Sequence, residues 1–157
     1  MKKYIFLEHT ALVAGRGCNS MNIRRAELED KKQIIRLVKE LYSKDSPKTV
    51  REWEMDYKYK IRLTLLAEIN KNIVAYIANG IEGDNLYIGD LYVLPKYRRK
   101  GIATSLILET DNLKKLINKK QLRVDARNKD KIALKFYEKM GFKFLSKKGE
   151  NSIKLIK

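Results

Sequence analysis

The 157-residue chain contains one cysteine and one histidine, Cys18 and His9, and both precede Met21. From Met21 onward there is neither. If the first twenty residues take no part in a site, three kinds of chemistry leave together: imidazole acid–base work, thiolate attack, and zinc held by Cys and His. No metal is expected. A lone cysteine cannot close an internal disulfide, which suits a reducing compartment and points to the cytoplasm. No apolar run approaches the roughly 18 residues that a membrane span requires, so no membrane partner is expected. The opening Met1-Lys-Lys-Tyr-Ile-Phe-Leu7 has the look of a signal peptide, but Glu8 and His9 interrupt its apolar stretch, and export is not expected. Internal repeats and low-complexity segments are absent. Residues 72–95 lack lysine and arginine altogether, in a chain that has 35 of them, yet hold Glu82, Asp84 and Asp90.

What is present reads as a folded domain. Apolar residues make up 44% and charged residues 34% of the chain, and the length suits one domain with a proper core. The net charge of +16 invites a nucleic-acid reading, but the lysines are spread along the whole chain, as in solvated faces, and nucleic acid is not the expected partner. Residues 1–20 read as an extension or leader, and residues 21–157 as the domain. A short strand from Met21 precedes a helix over Glu27 to Tyr42, with Ile34, Ile35, Leu37, Val38 and Leu41 at helical spacing. Ser46-Pro47 marks a break, and a second, aromatic-rich helix is expected around Thr49 to Tyr59. Strand-like runs follow at Thr64 to Ile69, Ile73 to Ile81 and Leu86 to Leu94. A long amphipathic helix starts near Gly101, and Gln121 to Ala126 is another strand. Asp130 caps a helix that Gly141 stops, and strands from Phe142 and Ser152 finish the chain. The order β-α-α-β-β-β-α-β-α-β-β describes an α/β (α+β) domain, a mixed sheet flanked by helices.

The passage from strand to helix at residues 91–104 carries the clearest chemistry. A strand ends at Pro95, a basic loop of Lys96, Tyr97, Arg98, Arg99 and Lys100 follows, and Gly101-Ile102-Ala103 opens a helix. Helix N-termini present unpaired N–H groups and the positive end of the helix dipole, and small residues let the backbone close on a phosphate. Alone, such a loop is equally an ordinary helix entry with a solvated basic turn. The whole string, Leu91-Tyr-Val93-Leu-Pro95 followed by Arg98-Arg-Lys-Gly101-Ile-Ala103, resembles the signature of the GNAT N-acetyltransferases. That resemblance implies acetyl-CoA as cosubstrate and a mostly antiparallel sheet of six to seven strands with about four helices. It also implies that the backbone of Leu91, Tyr92 and Val93 pairs with the pantetheine arm. The amides of Arg99, Lys100, Gly101, Ile102, Ala103 and Thr104 would then hold the pyrophosphate, with charge from Arg98, Arg99 and Lys100.

A second string, Ala133-Leu-Lys-Phe136-Tyr137-Glu-Lys-Met-Gly141-Phe142, resembles the other hallmark of the same family. The resemblance makes Tyr137 the general acid for the leaving thiolate. By spacing alone Tyr137 is a core aromatic. A phenol titrates near 10, above a thiol near 8.5, so as an acid it would have to be positioned by hydrogen bonding. The family's Asn falls on Asp130 here, while Asn128 lies two residues earlier. Asn128 is kept as a cofactor contact, and Asp130 as the helix cap.

On the acceptor side the resemblance thins. An amine must shed a proton to attack a thioester, and Tyr87-Ile-Gly-Asp90-Leu-Tyr-Val93 resembles the Tyr-x-Glu-Asp-x-x-Val of polyamine acetyltransferases. Gly89 stands where those enzymes have Glu. Asp90 remains as a catalytic candidate, with a strand-end aspartate satisfied by backbone amides as the equal alternative. The segment Trp53-Glu-Met-Asp-Tyr57 belongs either to the acceptor groove or to the core. The expected reaction is direct transfer from acetyl-CoA to a primary amine in a ternary complex. The favoured acceptor is a small amine (polyamine, aminoglycoside-like or amino-acid-derived), on the strength of the acids at 82, 84 and 90. The rivals are a protein N-terminal or lysine acetyltransferase, and a non-catalytic or nucleic-acid-binding module of the same fold. The family often forms homodimers.

Overall fold

The computed structural model describes residues 20–42 and 46–157. His9, Cys18 and nearly all of the expected extension lie outside the described residues. Seven strands form one sheet in the order β1-β2-β3-β4-β5-β7-β6: β1 Met21–Arg25, β2 Thr64–Ile69, β3 Asn72–Glu82, β4 Asn85–Val93, β5 Gln121–Arg127, β6 Lys143–Lys148 and β7 Ser152–Ile156. Every neighbouring pair is antiparallel except β4 and β5. The parallel pair is joined through helix α4, Ile102–Leu116, since parallel neighbours need a crossover.

Each face of the sheet is covered by the helices whose apolar stripes match it. Ile34, Leu37 and Val38 of α1 (Lys31–Tyr42) and Val50 and Trp53 of α2 (Pro47–Met55) pack with Leu66, Ile73, Tyr76 and Tyr92 of the sheet. On the other face, Ile102, Leu106 and Ile107 of α4 and Tyr137 of α5 (Lys131–Lys139) pack with Leu65, Ile77, Leu86, Ile88, Leu122 and Val124. The single helix expected over 49–59 is broken at Asp56 (φ −101°, ψ 26°), leaving α2 and a one-turn α3, Tyr57–Lys60. The break brings Tyr57 inward, where its hydroxyl donates to the Glu27 carbonyl at 2.9 Å.

One irregularity sets up everything that follows. Ala78 pairs with Asp90 but Asn79 pairs with Ile88, so Gly89 is an extra, bulged residue in β4. A bulge bends its strand and shifts the alternation of side chains by one. Before it, Leu86 and Ile88 face α4; after it, Leu91 and Val93 do, while Tyr92 joins the α1–α2 side.

Candidate active site

Beyond Ile88, paired with Val124, strands β4 and β5 part company. The stretch Asp90 to Val93 stays paired to β3 alone, and Asp125 to Arg127 to β7 alone. The result is a fork in the middle of the sheet. Its β4 side is an open strand edge, the kind of surface to which an extended, amide-bearing chain adds. At the mouth of the fork stands the N-terminus of α4. Gly101, its N-cap, has φ +81° and supplies no side-chain cap, and Arg99 before it is also left-handed at φ +61°. Among the described residues no protein acceptor meets the backbone N–H groups of Arg99 to Thr104. Those orphaned donors, at the positive end of a 15-residue helix, fit an anionic phosphate group.

The basic side chains of the loop divide in their tasks. Arg98 folds back: its Nε donates to the Val93 carbonyl at 2.9 Å and its guanidinium lies 5.5 Å from the Tyr92 ring centroid. Tyr92 in turn donates to Glu40 at 3.1 Å, tying the loop to α1. Arg99 and Lys100 remain exposed. Asn128 fastens the β6–β7 turn, its Nδ2 donating to the Glu150 carbonyl at 2.9 Å and its amide to Asn151 at 3.0 Å. Its Oδ1 is buried without a donor. Asp130 caps α5, accepting from the Ala133 amide at 2.9 Å.

Tyr137 sits under the fork on the α4 side, 8% exposed, with its ring edge-on to Phe136 and Phe142. Burial first, then the charges of Asp130 and Asp90 and the Tyr87 phenol, push its ionisation well above the usual tyrosine range. Its proton is therefore present throughout the neutral range. Among the described residues its hydroxyl has no hydrogen-bond partner.

Asp90 is held by side chains rather than by the backbone amides expected of a strand-end aspartate. Because the bulge turns it toward α1 and α2, it accepts from the Tyr42 hydroxyl on Oδ1, and on Oδ2 from Trp53 Nε1 at 3.1 Å and the Tyr76 hydroxyl at 3.4 Å. Three aromatic donors from three distant segments, not backbone amides, satisfy it. Burial and the Asp90 charge raise both phenols above their ordinary range. Of these donors Trp53 lies in the Trp53–Tyr57 segment and Tyr76 in the lysine-free stretch 72–95, while Tyr42 carried no functional signal in the sequence. The other acids of the lysine-free stretch are also partnered: Glu82 with Arg123, and Asp84 with Lys120 at 2.6 Å. Two clefts run along α1. One of about 510 Å³ is lined by Arg36, Glu40, Asn72, Val74, Leu94 and Tyr97, and a shallower one of about 660 Å³ by α1 and Glu54; neither is the fork.

Comparison with known proteins gives this geometry its context. The sequence model of the acetyltransferase (GNAT) domain matches residues 60–144. An N-alpha-acetyltransferase of Sulfurisphaera tokodaii is 27% identical over 139 aligned positions, covering 77% of this chain and 79% of the relative. Among solved structures, the PaiA N-acetyltransferase of Thermoplasma acidophilum, in complex with coenzyme A, has a TM-score of 0.70 at 23% identity, over 88% of this chain and 98% of that one. Naa50 of Arabidopsis thaliana, in complex with a bisubstrate analogue, has a TM-score of 0.71 at 20% identity, over 87% and 97% of the two chains. These structures share the fold. The chain belongs to the GNAT family and is an acetyl-CoA-dependent N-acetyltransferase. Among the described residues no helix is long and apolar enough to cross a membrane, and no cluster of His, Cys, Asp and Glu could hold a metal.

Proposed function

We propose that this enzyme, through its 21–157 domain, acetylates the α-amino group at the N-terminus of a peptide or protein. The observation that carries this reading is the partnering of the acids on the acceptor side. Glu82, Asp84 and Asp90, the residues that favoured a small cationic acceptor, are each committed to a partner. A polycation needs surplus negative charge, and the chain carries +16. A single terminal amine makes no such demand. The N-alpha-acetyltransferase of S. tokodaii supports the same choice.

Acetyl-CoA supplies an activated acetyl group as a thioester. In this reading its phosphates lie against the amides of Arg99, Lys100, Gly101, Ile102, Ala103 and Thr104, and its pantetheine arm against the open edge at Leu91, Tyr92 and Val93. Arg98 holds that edge in shape, Arg99 and Lys100 add charge, and Asn128 supports the far wall. Tyr137 delivers the proton that the departing sulfur takes. Asp90 positions Tyr42, Trp53 and Tyr76 along the acceptor wall. The protein is read as cytoplasmic, and nucleic acid is not part of the function.

The test is thiol release from acetyl-CoA across peptides with free N-termini, the same peptides N-terminally blocked but carrying lysine, and a panel of polyamines and aminoglycosides. Turnover confined to free N-termini supports the reading. Turnover on polyamines but not on peptides overturns it in favour of a small amine.

A further inference from the structure

Past the fork β4 has lost one of its two neighbours. Leu94 donates its amide to the Val74 carbonyl of β3 at 2.9 Å. Successive residues of an antiparallel strand turn their N–H and C=O groups to opposite sides. Tyr92 therefore faces β3 with its backbone, while Leu91 and Val93 face the fork. The Val93 carbonyl is already taken, by Arg98 Nε at 2.9 Å. The open edge thus offers the N–H and C=O of Leu91 and the N–H of Val93, and closes there. An edge closed at one end takes a short amide-bearing chain in one register and resists a longer strand.

We propose that Glu40, on α1, is a positioning residue for this edge: through Tyr92 it keeps Arg98 on the Val93 carbonyl, and so sets the affinity for acetyl-CoA. The inference rests on the binding mode given above, with the pantetheine arm along Leu91 to Val93.

Three contacts make the relay. Glu40 Oε2 accepts from the Tyr92 hydroxyl at 3.1 Å. The Tyr92 ring is 9% exposed and packs with the side chains of α1 and α2. Over that ring lies the Arg98 guanidinium, 5.5 Å from the centroid, and its Nε reaches the Val93 carbonyl. Burial first, then Glu40, raises the Tyr92 phenol above its usual range, with Arg98 opposing, so the hydroxyl keeps its proton and remains the donor. Released from the ring, Arg98 would exchange the carbonyl for water. A tie between the open edge and the loop that leads into the α4 N-terminus would then be lost.

The Glu40 contact is a selected one. Arg36 stands one turn earlier on the same helix face, a spacing that favours an ion pair, and both residues line the two clefts along α1. No ion pair joins them among the described residues; the carboxylate is turned to Tyr92. The same turn of α1 braces β4 a second time, where Tyr42 donates to Asp90. Glu40 and Tyr42 thus hold the two residues of β4 that point to α1 where β5 no longer supports the strand.

The test measures acetyl-CoA affinity by calorimetry, with steady-state kinetics and Tm, for wild type, Glu40→Ala, Glu40→Gln, Tyr92→Phe and the double variant Glu40→Ala/Tyr92→Phe. Glu40 is exposed, so water partly replaces it, and Glu40→Ala is expected to weaken acetyl-CoA binding about fivefold. The KM for acetyl-CoA should rise with it, while kcat at saturating acetyl-CoA stays unchanged. Tyr92→Phe keeps the ring under Arg98 and should lose a similar factor in affinity. Glu40→Gln keeps an acceptor oxygen and should recover most of the loss. The double variant should bind no more weakly than either single one, because both remove the same bond. A lowered Tm with wild-type affinity marks a merely structural contact and overturns the inference, as do additive losses in the double variant or a loss confined to kcat. A wild-type enzyme that binds no acetyl-CoA overturns the cofactor reading itself, and the inference with it.

Discussion

Replacing Asp90 by alanine removes the shared acceptor of three aromatic donors. Trp53 is 1% exposed and Tyr76 fully buried, so neither can turn to water once the carboxylate is gone. A hydrogen bond to a charged group contributes about 1.5–3 kcal/mol, and a buried donor left alone costs a similar amount. The Trp53 contact at 3.1 Å counts in the middle of that range and the Tyr76 contact at 3.4 Å at its foot. Tyr42 is only half-buried and can recover a bond from solvent. Together the loss is about 3–4 kcal/mol, which for a domain of this size lowers Tm by roughly 10 °C. The chain has a single tryptophan, and it is Trp53, so urea denaturation followed by its emission reads both the stability and the site. Asp90→Asn, which keeps a carbonyl acceptor, should lose about half as much. A loss below about 1 kcal/mol in Asp90→Ala would refute the reasoning, because the three donors would then be satisfied in some other way.

Three further outcomes follow from the same geometry. Tyr137→Phe should reduce kcat by about 100-fold while leaving acetyl-CoA affinity unchanged, as read by steady-state kinetics beside calorimetry. Gly101→Val forces a branched side chain into φ +81°, at a cost of about 1–2 kcal/mol, and should weaken acetyl-CoA binding at least tenfold, with Gly101→Ala intermediate in the same titration. The third concerns acid stability. Burial alone would raise the Asp30 carboxyl, but Arg24, bonded to it at 2.7 and 2.8 Å, and the Glu27 amide hold it below its ordinary value. A lowered folded-state pKa means that the stabilisation is complete above the unfolded value near 4 and fades as pH falls through the folded one. Urea midpoints for wild type should therefore drop more steeply below about pH 4 than those of Asp30→Asn.

The strand and helix order could be read from periodicity because each apolar stripe matches one face of one element. The proposed cofactor side rests on one continuous string, from Leu91 to Thr104, whose chemistry is local. The proposed acceptor side has no such string. Asp90 faces Tyr42, Trp53 and Tyr76 only because of the bulge at Gly89, and no local pattern announces a one-residue shift in alternation. The split of the 49–59 helix had no signal beyond Asp56, since Trp53 and Tyr57 keep helical spacing across the break.

In the proposed binding mode acetyl-CoA lies in the fork with its phosphates on the N-terminus of α4. Amide NMR shifts during a titration with CoA test this most directly. Saturable shifts are expected at one equivalent, largest for Arg99 to Thr104 and extending along the open edge at Leu91 to Val93. Shifts confined to the α1 cleft around Arg36, Glu40 and Asn72, with Gly101 to Thr104 unmoved, would contradict it.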